Sequence, residues 1–227
     1  VGSEMCRRES PASPRPSPDA PGTYTPALSR PLVLASTSET RRALLARLDV
    51  PFTAVAPEVD EANPDGLAPE PLARTLALAK ARAVAARGGL PPRALVIGSD
   101  QIAELDGERL GKPGTPEGAE AQLARLAGRE HRLITAVAVV DAATGEALVD
   151  VDVHRMTMRP LTPAQIRAYV AHDEPLWAAG AYLLERRGVA LFERIQADPV
   201  TADDTAILGL PLMKLLALLR RWGVDLP

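Results

Sequence analysis

From Leu32 onward the hydrophobic positions follow two rhythms, compact apolar or alternating runs and stripes spaced three and four apart. Leu32 to Ala35 reads as a short buried strand that gives way to small hydroxyl residues at Ser36 to Ser38. Leu44, Leu45 and Leu48 then recur at helical spacing, with Ser38 suited to cap that helix and Glu39 placed against its positive end. Pro51 to Ala56 predicts a second strand. Pro69 to Arg87 predicts a helix closed by Gly88-Gly89, with Leu72, Leu76, Ala79 and Ala83 on its buried side.

Ala94 to Ile97 is a buried strand expected to end in Gly98-Ser99-Asp100-Gln101, and Asp106-Gly107 is a two-residue hairpin signal. Thr115-Pro-Glu opens a helix that Gly128 ends. Leu133 to Asp141 and Ala147 to Met158 form a strand pair, and Thr162 to Ala171 a short helix. Trp177 to Tyr182 is a close-packed loop or strand start, Val189 to Ile195 a strand, Gln196 to Asp204 an acidic loop, and Leu208 to Trp222 a final apolar helix. Alternating strands and helices followed by hairpin strands predict one α/β domain, a mixed twisted sheet flanked by helices with a substrate cleft. That domain is expected over residues 31–227, behind a disordered tail at 1–30 too poor in aliphatic residues to offset its ordering entropy.

Composition narrows the function classes. A chain that is 46% hydrophobic and only 3% aromatic must build an aliphatic core. A net charge of −3 argues against a nucleic-acid coat or a polybasic membrane anchor, so any site for an anionic substrate must be local. The single cysteine, Cys6, forms no intrachain disulfide, and no apolar stretch is long enough for a membrane span or a secretory signal. A cytoplasmic location is therefore the expectation.

Arg41 precedes Leu44, Leu45 and Leu48 by three, four and seven residues, which puts it on their inward stripe one turn nearer the hydroxyl loop. A cation there needs a partner or an anionic ligand, so the stretch reads either as a phosphate cradle or as a solvated arginine pair on a capped helix. Glu58, Asp60 and Glu61 crowd one loop, as metal ligands or as solvated acids. Lys80 follows Leu76 by four on the inner side of its helix, where it either snorkels or meets an anion.

Asp100 falls where a strand is expected to end, beside small residues that leave room for a ligand; the alternative is a turn aspartate bonding its own backbone. Counting outward from Asp106-Gly107 brings Gln101 opposite Lys112 and so sets Lys112 beside Asp100, unless that lysine only guards an edge. His131, His154 and His172 share no metal-ligand spacing and read as surface or edge histidines. Glu185, between an apolar pair and two arginines, reads as a salt-bridged surface acid.

These residues, in this order, resemble the Maf-like nucleoside triphosphate pyrophosphatases, also called septum-formation inhibitor proteins. The motifs are Leu-Ala-Ser36-Thr-Ser-x-x-Arg41-Arg42, Pro-Glu-Val-Asp-Glu61, an alanine-rich helix with Lys80, Ile-Gly-Ser-Asp100-Gln101, Leu-Gly-Lys112-Pro, Ala-Gly-Ala-Tyr, Leu-Phe-Glu-Arg and Leu-Gly-Leu-Pro-Leu212. They run from Leu32 to about Gly223. The resemblance implies a Maf/ITPase-like fold and hydrolysis of a nucleoside triphosphate to monophosphate and pyrophosphate with a divalent cation, Mg, Mn or Co. It implies that Asp100 accepts a proton, and that Ser36, Arg41, Arg42, Glu61, Lys80 and Lys112 act in catalysis and phosphate binding. It further implies Glu61 and Asp100 as the metal ligands.

Base selectivity is implied for Thr40, Gln101 and Glu185. Gln101 and Glu185 match the branch acting on 7-methyl-GTP, where a carboxylate suits a cationic methylated guanine. The alternatives are the branch acting on thymidine triphosphate and UTP, or a non-catalytic nucleotide-binding regulator of cell division. Departures from the family pattern are Glu39 in place of proline, Thr40 in place of an aromatic or arginine, and a longer 196–204 loop. The expected partner is a nucleoside triphosphate, with no nucleic-acid polymer and no membrane; a homodimer is left open.

Overall fold

The computed structural model describes residues 28–63, 65–197, 199 and 202–226. Among these residues, seven strands form one mixed sheet. They are β1 (Leu32–Ala35), β2 (Phe52–Val55), β3 (Leu95–Leu105), β4 (Glu108–Leu110), β5 (Glu130–Asp141), β6 (Ala147–Met158) and β7 (Phe192–Ala197). Five helices accompany them: α1 (Glu39–Ala46), α2 (Pro69–Ala85), α3 (Pro116–Leu126), α4 (Pro163–Asp173) and α5 (Leu212–Arg221). The strand order is β2-β1-β3-β5-β6-β7, with β4 paired to β3.

Side-chain alternation along β1 and β3 sorts the core onto two faces. Leu32, Leu34, Leu95 and Ile97 meet the leucines of α1 and α5, whereas Val33, Ala35 and Val96 meet α2. A third cluster, from Ala103, Leu105, Leu133 and Met156, packs on α3 and α4. α2 lies close on the sheet because Gly98 has no side chain; a Cβ there would come within 2.2 Å of the Ala77 carbonyl oxygen.

The strand expected to stop at Gly98 continues to Leu105. One edge of β3 is paired with β5 from Leu95 to Glu104. The other edge pairs with β1 only through Gly98 and with β4 only from Ala103. Residues 99–102 therefore face a gap between two partner strands. The sequence pattern places the polar break correctly but misreads its cause, since the strand loses one neighbour without itself ending.

Other boundaries differ in detail. Ala79 and Ala83 are only half-buried, and the inner stripe of α2 instead includes Ala73, Ala77, Ala81 and Val84. His131 and His154 are buried, not at the surface: His131 Nε2 lies 2.9 Å from the Tyr182 hydroxyl and His154 Nδ1 2.9 Å from Asp152. The final helix begins at Leu212, after a separate 3₁₀ turn over Asp204–Leu208. Leu28, Ser29 and Arg30, which composition assigns to the tail, pack on the domain. Arg30 is buried, pairs with Asp141 at 2.8 Å and stacks over Trp222. The rest of that tail and part of the 196–204 loop lie outside the described residues.

Candidate active site

The gap beside β3 opens into a cavity of about 540 Å³. Ser36, Thr40, Arg41, Glu61, Lys80, Asp100, Gln101, Lys112 and Glu185 all line it. They come from the loop after β1, α1, the loop after β2, α2, β3, the segment after β4 and the 183–186 turn, so the site is assembled from the length of the chain.

Asp100 shares the strand face of Gly98 and thus looks toward α2, where Lys80 waits. Lys80 Nζ donates to Asp100 Oδ1 at 2.6 Å and pairs with Glu61 Oε1 at 2.7 Å. Lys80 and Asp100 are both buried, so the lysine neither snorkels nor lacks an anion, and Asp100 is no turn residue. Desolvation works to raise the pKa of Glu61, but the hydrogen bond and charge of Lys80, reinforced by Lys112, overcome it and hold the carboxyl at about 2. Glu61 is accordingly ionised at neutral pH.

Lys112 goes to Glu61 as well, at 3.4 Å, and not to Asp100 as the extended hairpin register predicts. The register itself is as expected, with Leu105 opposite Glu108, but the ladder stops at Leu110, before Gly111 and Pro113. Lys112 is thereby freed to reach across to the carboxylate loop.

On α1, Ser38 Oγ accepts from the Arg41 amide at 3.3 Å, and the buried Ser36 hydroxyl accepts from the Ser38 amide at 3.1 Å. The turn is therefore held by its own hydroxyls. Arg41 is half-buried and donates from Nε to the Gly209 carbonyl at 2.7 Å, which fixes its guanidinium at the cavity wall. Desolvation lowers its pKa below the ordinary arginine value, opposed by the charges of Asp100 and Glu61. Arg42, by contrast, is exposed and is not among the lining residues.

Gln101 points to the opposite strand face. Its amide nitrogen donates to Thr135 Oγ1 at 3.0 Å and to the Ala206 carbonyl at 2.9 Å, tying β3 to the 3₁₀ turn that closes one side of the cavity. Glu185 is exposed and accepts from Thr40 Oγ1 at 3.3 Å; among the described residues it makes no ion pair, contrary to the salt-bridged reading.

Sequence reasoning missed Arg109 and Trp177. Arg109 Nη1 donates to the Glu61 carbonyl at 2.9 Å and also lines the cavity. Its position is set by β4, one residue from the Leu-Gly-Lys motif, so only the hairpin register points to it. Trp177 lines the same cavity and is 75% exposed.

Four cations, Arg41, Lys80, Arg109 and Lys112, thus face three carboxylates, Glu61, Asp100 and Glu185. A triphosphate carries more negative charge than this surplus neutralises, so a divalent cation arriving with it suits the site. The donors fit one: Asp100 Oδ2 is buried with no hydrogen-bond partner, and Glu61 is ionised beside it on the same lysine. Magnesium-type ions are commonly held by one or two carboxylates together with phosphate oxygens. Among the described residues no group of three or more potential ligands gathers, so the protein alone offers no complete cage. None of the described helices is long and apolar enough to cross a membrane.

A 7-methyl-GTP pyrophosphatase of Xanthomonas campestris pv. campestris is 47% identical over 196 residues, covering 86% of this chain and 98% of the relative. One of the same description from Bordetella pertussis is 47% identical over 200 residues, covering 88% and 96%. The solved structure of a nucleoside-triphosphatase, a dITP/XTP pyrophosphatase from Mycobacterium abscessus, aligns at 18% identity over 83% of this chain and 98% of that one. Its TM-score of 0.43 is too low to bear on function. The family model described as Maf-like protein matches residues 31–222, nearly the whole described domain, and the chain belongs to that family.

Proposed function

We propose that this protein is a nucleoside triphosphate pyrophosphatase that cleaves between the α- and β-phosphates, with 7-methyl-GTP as the favoured substrate. The observation that carries the reading is the Lys80 ammonium shared by Asp100 and Glu61 inside a cavity lined by three further cations. The names of the two 47% identical relatives support both the reaction and the base. A cytoplasmic location and the use of Mg, Mn or Co belong to the same proposal.

In the reaction, the oxygen of a water attacks the α-phosphorus while the bond from that phosphorus to the bridging oxygen breaks. The electron pair leaves with pyrophosphate, and the proton of the water passes to Asp100. Lys80 fixes Asp100 through Oδ1 and so keeps its carboxylate in place for that work. Arg41, Lys112 and Arg109 offset charge gathering on the leaving group. A divalent cation held by Glu61 and Asp100 would neutralise phosphate charge and polarise the phosphoryl oxygens. Thr40 and Glu185 stand at the mouth, where a carboxylate suits a cationic base.

A pyrophosphate-release screen over common and methylated triphosphates with each metal tests the reading. The expected result is strong turnover of 7-methyl-GTP and a fall of about 10² to 10⁴ in kcat for Asp100→Asn. Turnover of UTP or thymidine triphosphate with 7-methyl-GTP inert would overturn the substrate, and unchanged kcat in Asp100→Asn would overturn the mechanism.

A further inference from the structure

The cavity's lining is of two kinds. Lys80, Asp100, Glu61 and their neighbours are ionic, whereas Trp177, Ala178, Ala179, Leu183 and Leu184 are apolar. Trp177 stands out there. A tryptophan normally buries most of its large surface, yet this one is 75% exposed. Its backbone is nonetheless well anchored: the Leu176 carbonyl accepts from Gly114 N at 2.9 Å, and Ala181 N bonds back to Ala178 at 3.2 Å. Gly180, at φ 76°, packs so close to Tyr182 that a Cβ would lie 2.6 Å from that ring. The backbone on both sides of Trp177 is thus held, and the residue lines the cavity with its side chain largely exposed, followed by two small alanines.

Within the same wall the Thr40–Glu185 hydrogen bond presents a carboxylate. A flat apolar side chain, a carboxylate and a cluster of cations in one cavity are what a nucleotide's base and phosphates together would need. We infer that Trp177 stacks on the base of the bound nucleotide and is a specificity-determining residue, favouring a cationic base through its π face. This rests on the nucleotide reading above but concerns a residue outside the charged cluster. No motif of the chain singles it out.

The chain has two tryptophans, so a Trp222→Phe background leaves Trp177 as sole reporter. In that background 7-methyl-GMP, which cannot be cleaved further by this reaction, is expected to quench the fluorescence, whereas inorganic tripolyphosphate is not. Trp177→Ala is expected to raise KM for 7-methyl-GTP about tenfold with kcat within about twofold, and Trp177→Phe to recover most of the loss. Equal quenching by tripolyphosphate, or no quenching together with an unchanged KM in Trp177→Ala, overturns the inference. A wild-type protein that releases no pyrophosphate yet shows base-dependent quenching would sink the activity and leave the stacking standing.

Discussion

Replacing Lys80 with methionine removes one ammonium and strands two carboxylates. Lys80 Nζ lies 2.6 Å from Asp100 Oδ1 and 2.7 Å from Glu61 Oε1, and its side chain is only 8% exposed. Deleting one partner of a buried ion pair typically costs about 3–5 kcal/mol, because the remaining charge keeps its desolvation penalty. Glu61 retains access to water, which screens its share, so the lower end, about 3 kcal/mol, is expected at pH 7. For a domain of this size that corresponds to a Tm lower by about 6–12 °C.

The pH dependence follows from linkage. In the wild type Glu61 sits at about 2 against an ordinary 4.5, so its stabilising contribution is full above pH 4.5 and is lost as pH falls toward 2. Without Lys80 the desolvation of Glu61 is opposed only by Lys112 and Arg109, so its pKa rises from about 2 toward the ordinary value. The variant therefore loses less stability than the wild type as pH falls below 4.5. Urea unfolding of both proteins at pH 7 and pH 4 measures this. The deficit should shrink at pH 4, and adding Asp100→Asn should recover part of it at pH 7. A variant as stable as wild type at pH 7, or a deficit that grows on acidification, would refute the buried-pair reasoning.

Gly98→Ala should destabilise by about 3 kcal/mol or more in urea, because its Cβ would meet α2 backbone at 2.2 Å and 2.8 Å, which cannot move without dislodging Lys80. A loss below about 1 kcal/mol would mean that α2 is not pinned there. His131 is held down to about 4 by burial, with Glu104 pulling the other way, so the unfolded chain binds its proton first and stability falls as pH drops from 6.5 to about 4. That fall amounts to about 2–3 kcal/mol. His131→Gln should flatten this part of the stability profile, and an unchanged slope would assign the acid loss to other groups.

Much of this was legible in the hydrophobic pattern. The strands and helices announce themselves by period, and the polar break at Gly98-Ser99-Asp100 marks the site. What the pattern cannot express is pairing. β3 continues through Asp100 because β5 accompanies it for ten residues, a nonlocal fact that makes a mid-strand aspartate look like a terminal one. The same limit hides the partner of Lys112, which skips Asp100 for Glu61 once its ladder ends. His131 and His154 read as surface residues because a lone polar side chain gives no sign of the Tyr182 or Asp152 awaiting it in the fold. Arg109 and Trp177 carry no periodic signal at all; only the folded cavity shows that they line the same space as Asp100.

Hydrolysis of 7-methyl-GTP in ¹⁸O-water with magnesium, followed by mass spectrometry of both products, reports directly which phosphorus the water attacks. Attack at the α-phosphorus beside Asp100 puts the heavy oxygen in the nucleoside monophosphate and leaves pyrophosphate unlabelled. Label in the pyrophosphate, or release of labelled orthophosphate in its place, would mean that the cations grip the nucleotide in a different register and that Asp100 does not address the bond proposed.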